Sequence, residues 1–351
     1  MIAAARKHWF LIGLIVLIPL GIALGQNDPS PWLVRAVDSV QTSVCTGAIL
    51  FLMSVSLNSG RLLESLKRPR AVLAACGVNQ LVLPLLALPL LPLVPSADLR
   101  VGLLIAASVP CTMAAASVWT RRAGGNDAVS LLVTLLTNGF CFLITPIWMS
   151  IGSRWFETSD TSGGLQFQDM VLRLLYAALL PAAAGQLLRI PQMTRQLIDR
   201  HKPLCSTTAQ LIILTLVFIS CFRGGLRFQQ GGLDQKLRHS EFAFVWFCCV
   251  VLHIVAMVIA WWLGGRLKLE ESDRRACVFA GSQKTLPIGI LVSSATGQPF
   301  SLLPMLMYHA SQLFVDTWIA DRLTRRDSDS DVETPAAEHA PAETSQPTTE
   351  R

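Results

Sequence analysis

Between Arg275 and Gln298 an apolar run long enough to cross a bilayer is interrupted at its centre by Gly281-Ser282-Gln283-Lys284-Thr285-Leu286-Pro287. Glycine weakens a helix, and proline removes a backbone donor while clashing with the preceding turn, so a helix is expected to break here. Broken backbone or an ionised side chain at membrane depth persists only where it is buried in protein or lines a water-filled cavity. A chain with this insert must therefore build a bundle around it, and the insert reads as the working site of a transport protein.

Composition points the same way. The 351 residues are 52% hydrophobic and 15% charged, with mean hydropathy +0.49, whereas a soluble domain carries roughly 25% charged residues. The net charge of +6 sits in short loops, where Lys and Arg orient helices; no nucleic-acid partner is expected. The nine Cys lie mostly in apolar segments without metal-type spacing and read as small packing residues. No HExxH, Gly-x-Ser-x-Gly or pair of membrane aspartates occurs, so an enzyme is not expected.

A window of about 20 apolar residues marks a span. Ten such runs are expected, at 9–25, 39–57, 71–94, 98–122, 126–151, 169–189, 204–222, 241–263, 273–297 and 299–323. The first follows Arg6 and Lys7 and has the look of a signal peptide, but the many later runs make an uncleaved span the better reading. With the N-terminus inside, inside segments hold 19 Lys and Arg and outside segments 8. Both termini are thus expected in the cytoplasm, in the cell (inner) membrane. The loop around 223–239, with four of those eight, runs against this trend.

Ten spans divide into halves of five, 1–155 and 160–325. Five is odd, so related halves would form an inverted repeat. The interrupted spans, fourth and ninth, are each fourth in their half, and paired broken helices mark transporter binding sites. Beyond Asp327 the chain turns to Asp, Ser, Glu, Pro, Ala and Thr, and 327–351 is expected to be a disordered cytoplasmic tail.

The fourth span reads Val109-Pro110-Cys111-Thr112-Met113-Ala114-Ala115-Ala116-Ser117. An unwound turn here would free carbonyls for a cation and aim a half-helix N-terminus at an anion, with Thr112 and Ser117 as substrate-contact candidates. A plain proline kink packed by alanine is the equal alternative. On the fifth span Asn126, Ser130, Thr134 and Asn138 recur every four residues and form one polar stripe, suited either to a hard cation such as sodium or to interhelical hydrogen bonds. Asn79-Gln80, just before Pro84, is a weaker cation candidate. On the tenth span His309, Gln312 and Asp316 share a face and, near Lys284, suggest a proton relay or charge pair. Asp316 reads equally as a hydrated interfacial residue, and His253 as a lone packing residue. Lys284 lies too deep to reach an interface. It needs a partner, the loss of its proton, or an anionic ligand.

With these residues in hand, the chain resembles the bile acid:sodium symporter family, and more closely its divergent SBF-like CPA transporter branch, over about residues 8–325. The likeness rests on the order of the spans, on Pro110 to Thr120 leading to Ala123-Gly124-Gly125-Asn126-Asp127, and on Gly281-Ser282-Gln283-Lys284-Thr285-Leu286 with Tyr308-His309 downstream. The resemblance implies a panel domain of spans 1, 2, 6 and 7 and a core of spans 3–5 and 8–10, with the two broken helices crossing in the core. It implies an organic-anion substrate moved with sodium. Family sodium ligands fall four and eight residues after a Gly-Asn pair, here Ser130 and Thr134 after Gly125-Asn126; Gln283 matches a further ligand.

Three departures stand out. Phe279 replaces an acidic residue four before the Gln, Ala114-Ala115-Ala116-Ser117 replaces Ser-Asn in the fourth-span break, and Lys284 replaces the Asn after the Gln. A second sodium beside that ammonium would be repelled, so Lys284 is expected to stand in for one sodium ion or to couple protons.

The expectation is an all-α polytopic membrane protein of ten helices. It is expected to be a secondary active transporter of a small organic anion, coupled to sodium or protons and working by alternating access, with Lys284, Thr285, Gln283, Ser282, Thr112, Ser117 and His309 at the substrate and coupling site. Asn126, Ser130, Thr134 and Gln283 would hold sodium. The alternatives are a cation/proton antiporter using Lys284 and a non-transporting regulatory membrane protein.

Overall fold

The computed structural model describes residues 2–57, 66–113, 115–152, 167–229, 239–298 and 300–332. Among these residues the regular structure is helical throughout. The helices are α1 (Ile2–Gln26), α2 (Pro31–Ser39), α3 (Thr42–Val55), α4 (Pro69–Gly77), α5 (Leu83–Ala87), α6 (Ala97–Ser108), α7 (Ala115–Arg122), α8 (Asp127–Gly152), α9 (Phe167–Leu174), α10 (Leu180–Leu187), α11 (Gln192–Gln229), α12 (His239–Arg266), α13 (Glu271–Ser282), α14 (Leu286–Thr296) and α15 (Leu303–Val332). A π-turn, Val78–Val82, joins α4 to α5, and another, Leu175–Leu179, joins α9 to α10.

Among the described residues seven helical stretches are long and apolar enough to cross a membrane: Trp9–Gln26, Pro69–Leu93, Asp127–Gly152, Phe167–Leu187, Gln192–Arg227, Ser240–Arg266 and Glu271–Thr296. An eighth arises if α2 and α3, bent by 54° at their junction, form one span. The bend lies at Val40 and Gln41, both in extended conformation. Two of the ten expected spans fall outside this set. The fourth is split into α6 and α7, each too short, and α15 is long but carries His309, Gln312 and Asp316. α15 continues to Val332, and residues 333–351 of the expected tail lie outside the described residues.

The helices sort into two packed groups. α1 lies along α11, and α11 and α10 both pack on α3. The second group is built on α13, which touches α4, α7, α8 and α12, while α15 packs on α12 and α6. α14 leaves this group to meet α3 and α11. Both groups draw on both halves of the chain. The grouping matches the panel and core that the family resemblance implies. α1 and α11 approach closely because glycine faces glycine: a Cβ on Gly25 would lie 2.9 Å from the Gly225 Cα, and one on Gly225 would lie 2.9 Å from the Gly25 Cα. The most apolar stretch of Glu271–Thr296 is 100% buried in protein, against 17% for Trp9–Gln26. The interrupted helix is therefore the one the bundle encloses.

Candidate functional site: the crossing of two interrupted helices

Both interruptions form where the sequence places them. α6 stops at Ser108, Val109 is extended, and α7 begins at Ala115. α13 stops at Ser282, Gln283 and Thr285 are extended, and α14 begins at Leu286. Pro287 sits in the first turn of α14, where its missing N–H costs no helical bond. The two breaks touch: the Thr285 N–H donates to the Pro110 carbonyl at 2.9 Å.

Lys284 ties three segments together. Its ammonium donates to the Val109 carbonyl at 2.8 Å, the Asn79 carbonyl at 2.6 Å and Asn79 Oδ1 at 3.3 Å. An ammonium has three donors, and here all meet neutral oxygens. The Asn79 carbonyl is available for a local reason. In an α-helix it would accept from Leu83, but the Leu83 N–H bonds Val78 instead, and the following residue, Pro84, has no N–H to offer. In return the Asn79 amide donates to the carbonyls of Gln283 (2.8 Å), Ala280 (3.2 Å) and Gly281 (3.4 Å), satisfying groups left open where α13 ends. The Gln312 side chain pairs reciprocally with the Lys284 backbone, accepting from its N–H at 2.9 Å and donating to its carbonyl at 3.1 Å.

Ser282, Gln283, Lys284 and Thr285 are all buried. The ammonium therefore faces protein oxygens, the backbone carbonyls of Val109 and Asn79 and the Asn79 side chain. The fourth-span break and the π-turn supply these three oxygen acceptors.

A carboxylate sits on the other side of Gln283. The Gln283 amide donates to Asp316 Oδ2 at 2.5 Å, and Asp316 Oδ1 lies 2.9 Å from His253 Nε2. The Tyr308 hydroxyl donates to the Ser282 carbonyl at 2.7 Å. Asp316 and His253 are fully buried, so the hydrated interfacial reading of Asp316 and the lone-packing reading of His253 are both corrected. The pairing joins residues 63 apart on two different helices, which no local pattern could signal. His309 lies one turn away, bonded to Gln312 at 2.9 Å, and not to Asp316.

The polar stripe of α8 runs down the broken fourth helix. Ser130 meets Thr120 at 2.6 Å, Thr134 donates to the Thr112 carbonyl at 3.2 Å, and Asn138 donates to the Cys111 carbonyl at 2.8 Å. Asn126 is not part of this line. It precedes α8, accepts from the Ala128 N–H at 3.2 Å, and donates to Asp273 at 2.8 Å. Gln80 reaches the Thr137 carbonyl at 3.4 Å. Among the described residues four buried side-chain oxygens near the breaks have no hydrogen-bond partner: Gln80 Oε1, Asn138 Oδ1, Gln283 Oε1 and Thr285 Oγ1. Unpartnered buried oxygens are costly unless they serve a ligand. Among the described residues no three His, Cys, Asp or Glu come together as a metal group.

A cavity of about 360 Å³ opens where α3, α7, α8 and α11 meet. Ser117 lines it together with Ser56, Ser206, Gln210 and Lys202, against an apolar wall that includes Leu131 and Ile213. At its edge Arg121 is paired with Asp127 at 3.0 Å. Thr112 is buried at the break itself and does not line this cavity.

Two helices that break and touch deep inside an apolar bundle, with a buried ammonium and a buried carboxylate at the contact, define a membrane transport protein. Residues 8–325 match the SBF-like CPA transporter family, and the chain belongs to that family. It is 23% identical over 348 residues to Sodium/bile acid cotransporter 7 of Danio rerio, covering 92% of this chain and 97% of that protein. The mouse protein of the same name (Mus musculus) is 21% identical over 333 residues, covering 90% of this chain and 92% of its own length. "Probable sodium/metabolite cotransporter BASS4, chloroplastic" of Arabidopsis thaliana is 25% identical over 248 residues, covering 66% of this chain and 54% of that protein. The family and these relatives are transporters, not enzymes.

Proposed function

We propose that the protein is a secondary active transporter of a small organic anion, coupled to sodium and working by alternating access. Its relatives are named as sodium/bile acid and sodium/metabolite cotransporters. The observation that carries the reading is the contact between the two breaks, bridged by Lys284 from one helix to Val109 of the other. In this reading the split helices α6–α7 and α13–α14 are the fourth spans of two inverted five-span halves in an inner-membrane protein with cytoplasmic termini.

Sodium would be held by Ser130, Thr134 and the Thr112 carbonyl, with the unpartnered Gln283 Oε1 available from the second break. Asn126 drops out of this set because Asp273 engages it, leaving it the role of capping α8. Lys284 would take the place of a second sodium ion, or would couple protons by titrating. Phe279 removes the carboxylate expected on the ninth span, and Asp316 returns one from α15 to the same glutamine. The substrate would enter through the Ser117 cavity, with the exposed Lys202 attracting its charge. Such a cavity, apolar with a few convergent polar groups, suits a small amphipathic ligand.

The test is uptake of labelled bile acids and short carboxylates into proteoliposomes, with and without an inward sodium gradient. Sodium-stimulated accumulation by the wild type, lost in Lys284→Ala, is expected. Sodium-driven proton movement without uptake of any organic anion would replace this reading with the cation/proton antiporter.

A further inference from the structure

A second cavity, also of about 360 Å³, lies away from the crossing. Its charged lining is Lys67, Arg68, Arg70, Lys268, Glu270 and Asp273. Both carboxylates are spent on one cation: Arg68 pairs with Glu270 and lies 3.5 Å from Asp273. The hydrogen bond to Glu270 and the charge of Asp273 hold the Arg68 guanidinium above its ordinary pKa. Lys67, Arg70 and Lys268 remain, all exposed, and none of them has an ion pair among the described residues. Lys268 is held toward the cavity by a left-handed turn (φ 53°) between α12 and α13, a conformation an ordinary L-residue adopts at a cost.

The cavity's position identifies its surroundings. It lies where three helices end: the start of α4, the end of α12 and the start of α13. Trp261 and Trp262 lie on the last turns of α12, the helix that ends at the cavity, stacked under Arg274 (3.7 Å) and Arg266 (4.9 Å). Tryptophan with arginine in this arrangement marks the headgroup level of a bilayer. Three uncommitted cations converging on a concavity at that level repel one another unless an anion joins them, and basic pockets between membrane helices bind lipid phosphates.

We propose that this cavity binds the phosphate of an anionic phospholipid headgroup. The site is independent of the transport reading: it stands on the cation cluster and its depth, whatever the cargo.

The experiment measures the melting temperature of the purified full chain in neutral detergent. It is titrated with phosphatidylglycerol, with phosphatidylcholine, and with glycerol 1-phosphate as the free-phosphate source. The proteins are wild type, a Lys67→Gln/Arg70→Gln/Lys268→Gln triple variant, and Arg195→Gln as a basic control outside the cavity. Saturable stabilisation of the wild type and of Arg195→Gln by phosphatidylglycerol alone is expected, with half-saturation shifted roughly 100-fold in the triple variant. Lys67→Gln and Lys268→Gln singly, each expected to shift half-saturation roughly fivefold, serve if the triple variant does not fold. Equal stabilisation of the wild type and the cavity variants would overturn the proposal. So would the same loss in Arg195→Gln, or equal stabilisation by glycerol 1-phosphate, which would make the ligand a free phosphate.

Discussion

The ammonium of Lys284 lies 2.6 Å from the backbone carbonyl of Asn79, an acceptor that exists because a π-turn and Pro84 together deny that carbonyl its helical partner. A defect in one helix thus answers a charge in the break of another. The same asparagine closes the end of α13 with its amide, so the third span and the ninth are locked through two residues.

Lys284→Ala is expected to abolish transport and lower the melting temperature of a protein that still folds. It strands the Asn79 and Val109 carbonyls in the bundle, at about 1–3 kcal/mol for each acceptor left unmade. Uptake and thermal unfolding measured on the same preparation check both parts.

Asn79→Ala removes the side chain that caps α13 and one of the three lysine acceptors. We expect a stability loss of about 1–3 kcal/mol and a large fall in maximal uptake. Asn79→Asp would place a carboxylate directly at the ammonium. If it preserves uptake at the wild-type rate, the neutrality of that shell is not part of the mechanism.

Thr134→Val keeps the shape of the side chain and deletes its oxygen. With Ser130→Ala it should raise the sodium concentration giving half-maximal uptake, each by roughly tenfold, the equivalent of about 1.4 kcal/mol. Asn126→Ala should leave that concentration unchanged, because Asn126 faces Asp273 and not the break.

Asp316→Asn tests the buried pair with His253. The substitution keeps size but removes the charge, and leaves one oxygen to serve both Gln283 and His253. Uptake is expected to fall by at least tenfold, and His253→Ala to reproduce much of the loss. Wild-type uptake in both variants would confine the pair to packing.

Much of this site was legible in the sequence. Pro110 and the Gly281–Pro287 insert announce both breaks, and a lysine at that depth announces a buried anchor. The finer errors have physical causes. Four-residue spacing drifts by about 40° per step on a helix of 3.6 residues per turn, so Asn126 need not continue the line that Ser130, Thr134 and Asn138 form. Asn126 in fact precedes α8 altogether. The His253–Asp316 pair was hidden because each residue is isolated in its own span and only the packing of α12 on α15 joins them. The bend between α2 and α3 was hidden because Val40-Gln41 carries neither Gly nor Pro, and extended backbone there leaves no compositional mark.

The most direct test of the central claim, that Lys284 occupies the place of one transported cation, is the number of sodium ions moved per organic anion in proteoliposomes, read from the equilibrium potential of coupled flux. One sodium per anion is expected for the wild type. Two sodium ions per anion in a protein that retains Lys284 would contradict it.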